Sequence, residues 1–258
     1  MSDSNSVNSE MGTFSSMPIS KVKYSGESGQ YVIIGKQMFY RHQLMAAFGG
    51  SLTAGITPFP VTNINPAPLG LSAFAFTTFV LSMFNVQAMG VHTPNVVVGA
   101  ALFYGGVAQF LAGIAEIYAS NSFGATALCS YGSFWLAFAT LHLKAFGIAD
   151  AYAESETFQD AIGFFLVGWA IFTLMLVLLT MKSTVAFNAL FVCLFITFVF
   201  LAAGELLRVA TVTRVGGVFG LITAFLGWYN AFSGTATTHN SYFQAKSIPL
   251  PGNIIRHI

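Results

Sequence analysis

Between Pro66 and Leu143 the chain carries one formal charge, Glu116. Few architectures tolerate that. A helix crosses the hydrocarbon core of a bilayer with about 20 apolar residues, and hydrocarbon admits only helices and closed barrels. The stretch is long enough for three spanning helices joined by tight turns. The rest of the chain has the same character: 55% hydrophobic, 7% charged, with a mean hydropathy of +0.71. A soluble domain carries about 25% charged residues. Phenylalanine, with 27 copies against 3 Trp and 9 Tyr, supplies apolar bulk with no hydrogen-bonding demand. The net charge of +1 provides no field for a polyanion. These values exclude a hydrophilic enzyme domain, a disordered chain and a nucleic-acid binder. They describe an all-α polytopic membrane protein whose surroundings are the lipid bilayer.

Six spanning helices are expected, at about 68–89, 96–118, 123–143, 161–181, 185–207 and 215–233, within a membrane domain over 63–235. Before it, residues 1–29 read as a disordered Ser-rich tail. Residues 30–62 read as an interfacial segment and connector, with Tyr31 to Phe48 lying as a short helix on the membrane surface. Residues 236–258 form a C-terminal tail. No apolar leader precedes the first span, so the chain is expected to insert through its own helices. Lys21, Lys23, Lys36, Arg41, Lys182, Lys246 and Arg256 fall on one side of this topology, and Lys144, Arg208 and Arg214 on the other. The richer side faces the cytoplasm, which places both termini inside and the acidic loop around Asp150 and Glu154 outside.

Gly99, Gly106 and Gly113 recur at seven-residue spacing on the second helix, as do Gly220 and Gly227 on the sixth. Small residues along one helix face let backbones approach in lipid, so these glycines imply a tight bundle and an oligomer. Cys129 and Cys193 lie in apolar runs and read as small packing residues. No catalytic or metal-binding constellation is visible, and His92, His142, His239 and His257 show no ligand spacing. An enzyme is not expected, nor any cofactor. What remains is passage of a solute.

Three motifs stand out. Asn65-Pro66-Ala67-Pro68-Leu69-Gly70-Leu71 has the chemistry of a helix start, and an open helix N-terminus also attracts anions. On the second helix, Gly106, Gln109, Gly113 and Glu116 share a face by three- and four-residue steps, and a carboxylate inside a membrane points to function, although Glu116 is also one turn from the polar loop. Ser130-Tyr131-Gly132-Ser133-Phe134-Trp135 places hydroxyls midway along the third helix, where they serve helix packing or a pathway.

These three motifs, in order, resemble the signature of the acetate uptake transporter family, which includes bacterial succinate–acetate permeases and fungal acetate and ammonium transport proteins. The likeness covers about residues 63–235, and the Ser-rich N-terminus resembles the fungal branch. It implies a six-helix protomer, a homohexamer in the plasma membrane, and a pathway in each protomer for acetate and related monocarboxylates. It also implies a Phe–Tyr–Leu constriction at Phe74, Tyr131 and Leu194. The pathway is expected to run past Asn65, Thr77, Gln109, Glu116 and Ser130. A weak acid with a pKa of about 4–5 suits a membrane domain so poor in charge. A channel for ammonia or another small neutral solute, and a sensor signalling through the Ser-rich tail, are the alternatives.

Overall fold

The computed structural model describes residues 23–26, 29–34, 37–47, 65–91, 93–155, 157–238, 240–245 and 247–251. Most of the Ser-rich tail, the connector Gly49 to Val61 and the turn residue His92 lie outside them. The chain falls into two units, 1–63 and 64–258.

In the first unit the strands β1 (Lys23–Ser25), β2 (Tyr31–Ile34) and β3 (Gln37–Tyr40) form an antiparallel sheet in that order, with Val32 opposite Phe39 and Ile33 opposite Met38. The helix α1 follows at Arg41–Ala47. This corrects the reading of Tyr31 to Phe48 as one surface helix, and with it the all-α class. Three consecutive β-branched residues, Val32, Ile33 and Ile34, lose side-chain freedom in a helix and suit a strand. Gly26 and Gly29, both at positive φ, turn the chain before β2.

The second unit is a bundle of six long helices: α2 (Ala67–Asn85), α3 (Asn95–Tyr118), α4 (Ser122–His142), α5 (Phe158–Leu179), α6 (Val185–Leu207) and α7 (Ala210–Thr235). The starts of α2, α4 and α6 share one end of the bundle, where they line a common cavity, and their ends line another. α2 packs against α3, α4 and α7, and α6 against α5 and α7. The outer surface is apolar, with Phe103, Phe164, Ile171, Leu178 and Phe225 all exposed. Five helices, all but α4, are long and apolar enough to cross a membrane. α4 has 21 residues, diluted by Ser122, Thr126, Ser130, Ser133, Thr140 and His142.

Three local departures from the expected helices matter. α2 ends at Asn85, four residues early, because Gln87 and Met89 take left-handed backbone angles (φ 55° and 54°) around a short 3-10 turn, Ala88–Gly90. α7 starts at Ala210, not 215, which draws Arg214 into the helix; its Nη2 donates to Gln87 Oε1. α3 is interrupted by a π-helical segment, Phe103–Ala108. Hydrogen bonds to the fifth residue widen the turn there, so seven-residue spacing no longer returns to the same face. Gly106 and Gly113 therefore sit at close contacts, a Cβ on Gly113 lying 2.6 Å from the Cys129 backbone nitrogen, while one on Gly99 would meet open space. This corrects the reading of Gly99 as one of the packing glycines within the bundle. Gly220 abuts Ser82, and a Cβ on Gly227 would lie 2.9 Å from Ala75 Cβ, which explains the close approach of α7 to α2.

Candidate functional site: two cavities and an aromatic layer

Polar residues are few inside the bundle. At the end where α2 and α4 begin, Asn121 caps α4: its Oδ1 accepts from the Gly124 N–H at 3.0 Å. Asn121 Nδ2 donates to Glu116 Oε2 at 2.6 Å, while Glu116 Oε1 has no partner. Glu116 is 2% exposed, so this carboxyl does not reach out to water; it sits under the α3–α4 turn and holds the cap. Asn121 in turn lines a cavity of about 60 Å³ with Ala67 and Leu71 from α2, Gln109 from α3, Phe123, Gly124, Ala127 and Leu128 from α4, and Phe187, Leu190 and Phe191 from α6. Phe74 and Tyr131 line it too.

At the opposite end a second cavity, of about 180 Å³, lies among the end of α2 (Leu81, Phe84, Asn85), Pro94, the end of α4 (Phe134, Phe138, Leu141, His142), the start of α5 (Ile162, Phe165, Leu166), and Leu201, Glu205 and Thr213. Tyr131 borders the first cavity and Phe134 the second. They are three residues apart on one helix, a rise of about 4.5 Å.

What fills that interval is aromatic. The rings of Phe74 and Tyr131 are 5.7 Å apart, Tyr131 and Trp169 5.9 Å, Phe134 and Trp169 5.2 Å, and Phe134 and Phe198 5.3 Å. Phe74, Tyr131 and Leu194 are all at least nine-tenths buried and belong to one core cluster. The Tyr131 hydroxyl is bonded to Thr173 Oγ1 at 2.9 Å, and Thr173 also donates to the Trp169 carbonyl at 2.7 Å. Tilted and edge-on rings at these separations are the favoured aromatic geometry, so the layer is well packed.

The remaining sequence-derived residues divide. Gln109 lines the first cavity; it is fully buried, and neither its Nε2 nor its Oε1 has a hydrogen-bond partner among the described residues. Thr77 lines neither cavity; its hydroxyl donates to the Ala73 carbonyl at 2.9 Å, and its side chain fills the space that a Cβ on Gly105 would need. Ser130 is half-buried and lines neither cavity. Asn65 does not cap α2, whose N-cap is Pro66. Its Oδ1 accepts from the Ala67 N–H at 3.3 Å and its Nδ2 donates to the Gly234 carbonyl at 3.4 Å, tying the start of α2 to the end of α7. Phe134, Trp169 and Glu205 were not legible as site residues. Trp169 and Thr173, one turn apart on α5, were the available signal for the first two.

Residues 48–252 match the profile of the GPR1/FUN34/yaaH family. The chain belongs to that family. Ammonia transport outward protein 2 of Saccharomyces cerevisiae is 50% identical over 250 residues, which is 96% of this chain and 89% of the yeast protein. Acetate permease A of Emericella nidulans is 43% identical over 216 residues, 79% of this chain and 72% of the permease. A solved structure of the bacterial acetate channel SatP matches with a TM-score of 0.61 at 34% identity, over 67% of this chain and 92% of that one. The GPR1/FUN34/yaaH family is thus the acetate transporter family that the three motifs resemble. In this family member the cavities and the aromatic layer are built almost wholly from α2, α4, α5 and α6, with Gln109 contributed by α3.

Proposed function

We propose that the chain is a transporter, not an enzyme: a six-span protein of the plasma membrane, α4 included, that conducts acetate and related short monocarboxylates through each protomer of a homo-oligomer, a hexamer by family resemblance. Both termini face the cytoplasm in this reading. The single observation that carries it is the pair of cavities at opposite ends of one bundle, parted by less than a helical turn of aromatic packing between Tyr131 and Phe134. An apolar neck of that kind excludes a hydrated ion and passes what fits once the rings move. Phe74, Tyr131 and Leu194 form the neck, and Gln109 and Asn121 line the approach. Acetate conduction is supported by the names of two relatives, an acetate permease and an acetate channel.

Ammonia is the second reading, supported by the name of the yeast relative. Purified protein in liposomes, loaded with labelled acetate and compared with protein-free vesicles, separates these. Acetate flux that falls in a Phe74→Ala, Tyr131→Ala or Leu194→Ala background, or loses its size limit there, supports the neck. Ammonia flux with no acetate flux supports the second reading, and no flux of either supports a sensor.

A further inference from the structure

Thr78 Oγ1, Glu116 Oε1 and Trp135 Nε1 are buried without a hydrogen-bond partner among the described residues, but Gln109 alone lacks a partner at two polar atoms, its Nε2 and its Oε1. A buried primary amide that makes no hydrogen bond forgoes both a donor and an acceptor, a cost that folded proteins seldom leave standing. This one sits at the C-terminal edge of the π segment Phe103–Ala108, and π-bulges frequently mark functional positions. It lies in the wall of a cavity whose exposed lining is apolar, beside Asn121 and Tyr131, which are already engaged with Glu116 and Thr173. Its own amide is closed off in this conformation, so a solute reaches Oε1 and Nε2 only as the side chain turns inward. Among the described residues, no Lys or Arg lines that cavity.

These facts bear on which form of a carboxylic acid can occupy it. A carboxylate there would be stripped of water with no cation to compensate, and an unpaired buried charge is far more costly than an unpaired dipole. It would also face the Gln109 carbonyl oxygen, an acceptor. The undissociated acid suits both atoms: its O–H donates to Oε1 while its C=O accepts from Nε2. The two hydrogen bonds form a closed ring, and the short alkyl group is left against Phe and Leu side chains.

We propose that Gln109 is the specificity-determining residue that receives the neutral acid, through a two-bond amide–acid pair, on the approach to the aromatic neck. This rests on the transport reading above and names the protonation state of its substrate. The titratable groups on the elements around the cavity are Tyr104, Glu116 and Tyr118 on α3, Cys129, Tyr131 and His142 on α4, and Cys193 and Glu205 on α6; α2 has none. Of these, only Tyr131 lines the cavity. The titrating group that governs occupancy is therefore the solute.

The test uses the full-length purified protein in detergent and saturation-transfer NMR on the methyl protons of acetate and of acetamide. Acetamide carries the same donor and acceptor at every pH. Acetate binding is expected to weaken roughly tenfold per pH unit above the acid's pKa of about 4–5, whereas acetamide binding stays flat and displaces acetate. Gln109→Met and Gln109→Leu each remove two hydrogen bonds to the solute and should weaken both ligands by roughly 10- to 100-fold. Neither variant should lower the melting temperature, because no protein partner is lost. Acetate binding that is level from pH 5.5 to 7.5, failure of acetamide to compete, unchanged affinity in both variants, or unfolding of both variants would each overturn the proposal. If acetate flux persists in liposomes under any of these outcomes, the transport reading stands without it; if wild-type protein conducts no acetate, the transport reading itself fails.

Discussion

At the scale of single residues, the interior is governed by the cost of an unmet hydrogen bond. Asn121 serves two masters, the Gly124 N–H and the Glu116 carboxyl. Asn121→Ala therefore removes a helix cap, about 1 kcal/mol, and also strips the partner from a buried carboxyl, about 1–3 kcal/mol more. Asn65, an exposed residue with longer bonds of 3.3 and 3.4 Å, should cost less than Asn121 when cut to Ala. Thermal unfolding in detergent ranks the two, and equal losses would mean that Glu116 does not depend on Asn121. Tyr131 offers a second measurement. Its hydroxyl bonds Thr173, so a double-mutant cycle of Tyr131→Phe and Thr173→Val should give a coupling of about 1 kcal/mol. A coupling near zero would mean that the tyrosine hydroxyl is held elsewhere.

Among the elements, α3 is the one whose sequence pattern misleads. Gly99, Gly106 and Gly113 look like one stripe, and the π segment between the first and the others breaks it. The consequence is measurable. Gly113→Ala pushes a methyl group against the Cys129 backbone, 2.6 Å away, and overpacking of this kind costs about 1–3 kcal/mol. Gly99→Ala meets nothing and replaces a poor helix former with the best one, worth up to about 1 kcal/mol of stabilisation. Opposite shifts in melting temperature are expected; a loss on Gly99→Ala would place that glycine against a neighbouring protomer. Thr184 caps α6 by accepting from the Phe187 N–H at 3.3 Å. The C-terminal segment then pairs with that turn, Val185 N–H donating to the Ile248 carbonyl at 2.8 Å and Leu250 N–H to the Ser183 carbonyl at 2.9 Å.

For the whole molecule, the expectation that both termini are cytoplasmic rests on seven Lys and Arg residues against three. Tags on each end should resist an impermeant label in intact cells and react after permeabilisation. Labelling of either end in intact cells would invert the topology. The inversion would also exchange the faces of the two cavities, since the first opens among the starts of α2, α4 and α6 and the second among their ends.

What the amino-acid order determined without help was the number and rough extent of the long helices. Most are long apolar runs, and that information is local, as the agreement of α6 at 185–207 with its expected bounds illustrates. Motif likeness led to the right family for the same reason, since NPAPLGL and SYGSFW are contiguous. The tertiary structure alone decided which polar groups found partners. Glu116 and Gln109 lie seven residues apart on one helix and look equivalent in the sequence. Glu116 meets Asn121 across the α3–α4 turn, whereas Gln109 meets only a cavity wall. Nor could local pattern foresee that the cavities would stop less than a turn apart at Tyr131 and Phe134, or that Arg214 would reach Gln87. Hydrophobic periodicity reports how often a residue faces inward, but satisfaction of a hydrogen bond depends on which atom of another helix lies within about 3 Å, a distance set by how the helices pack.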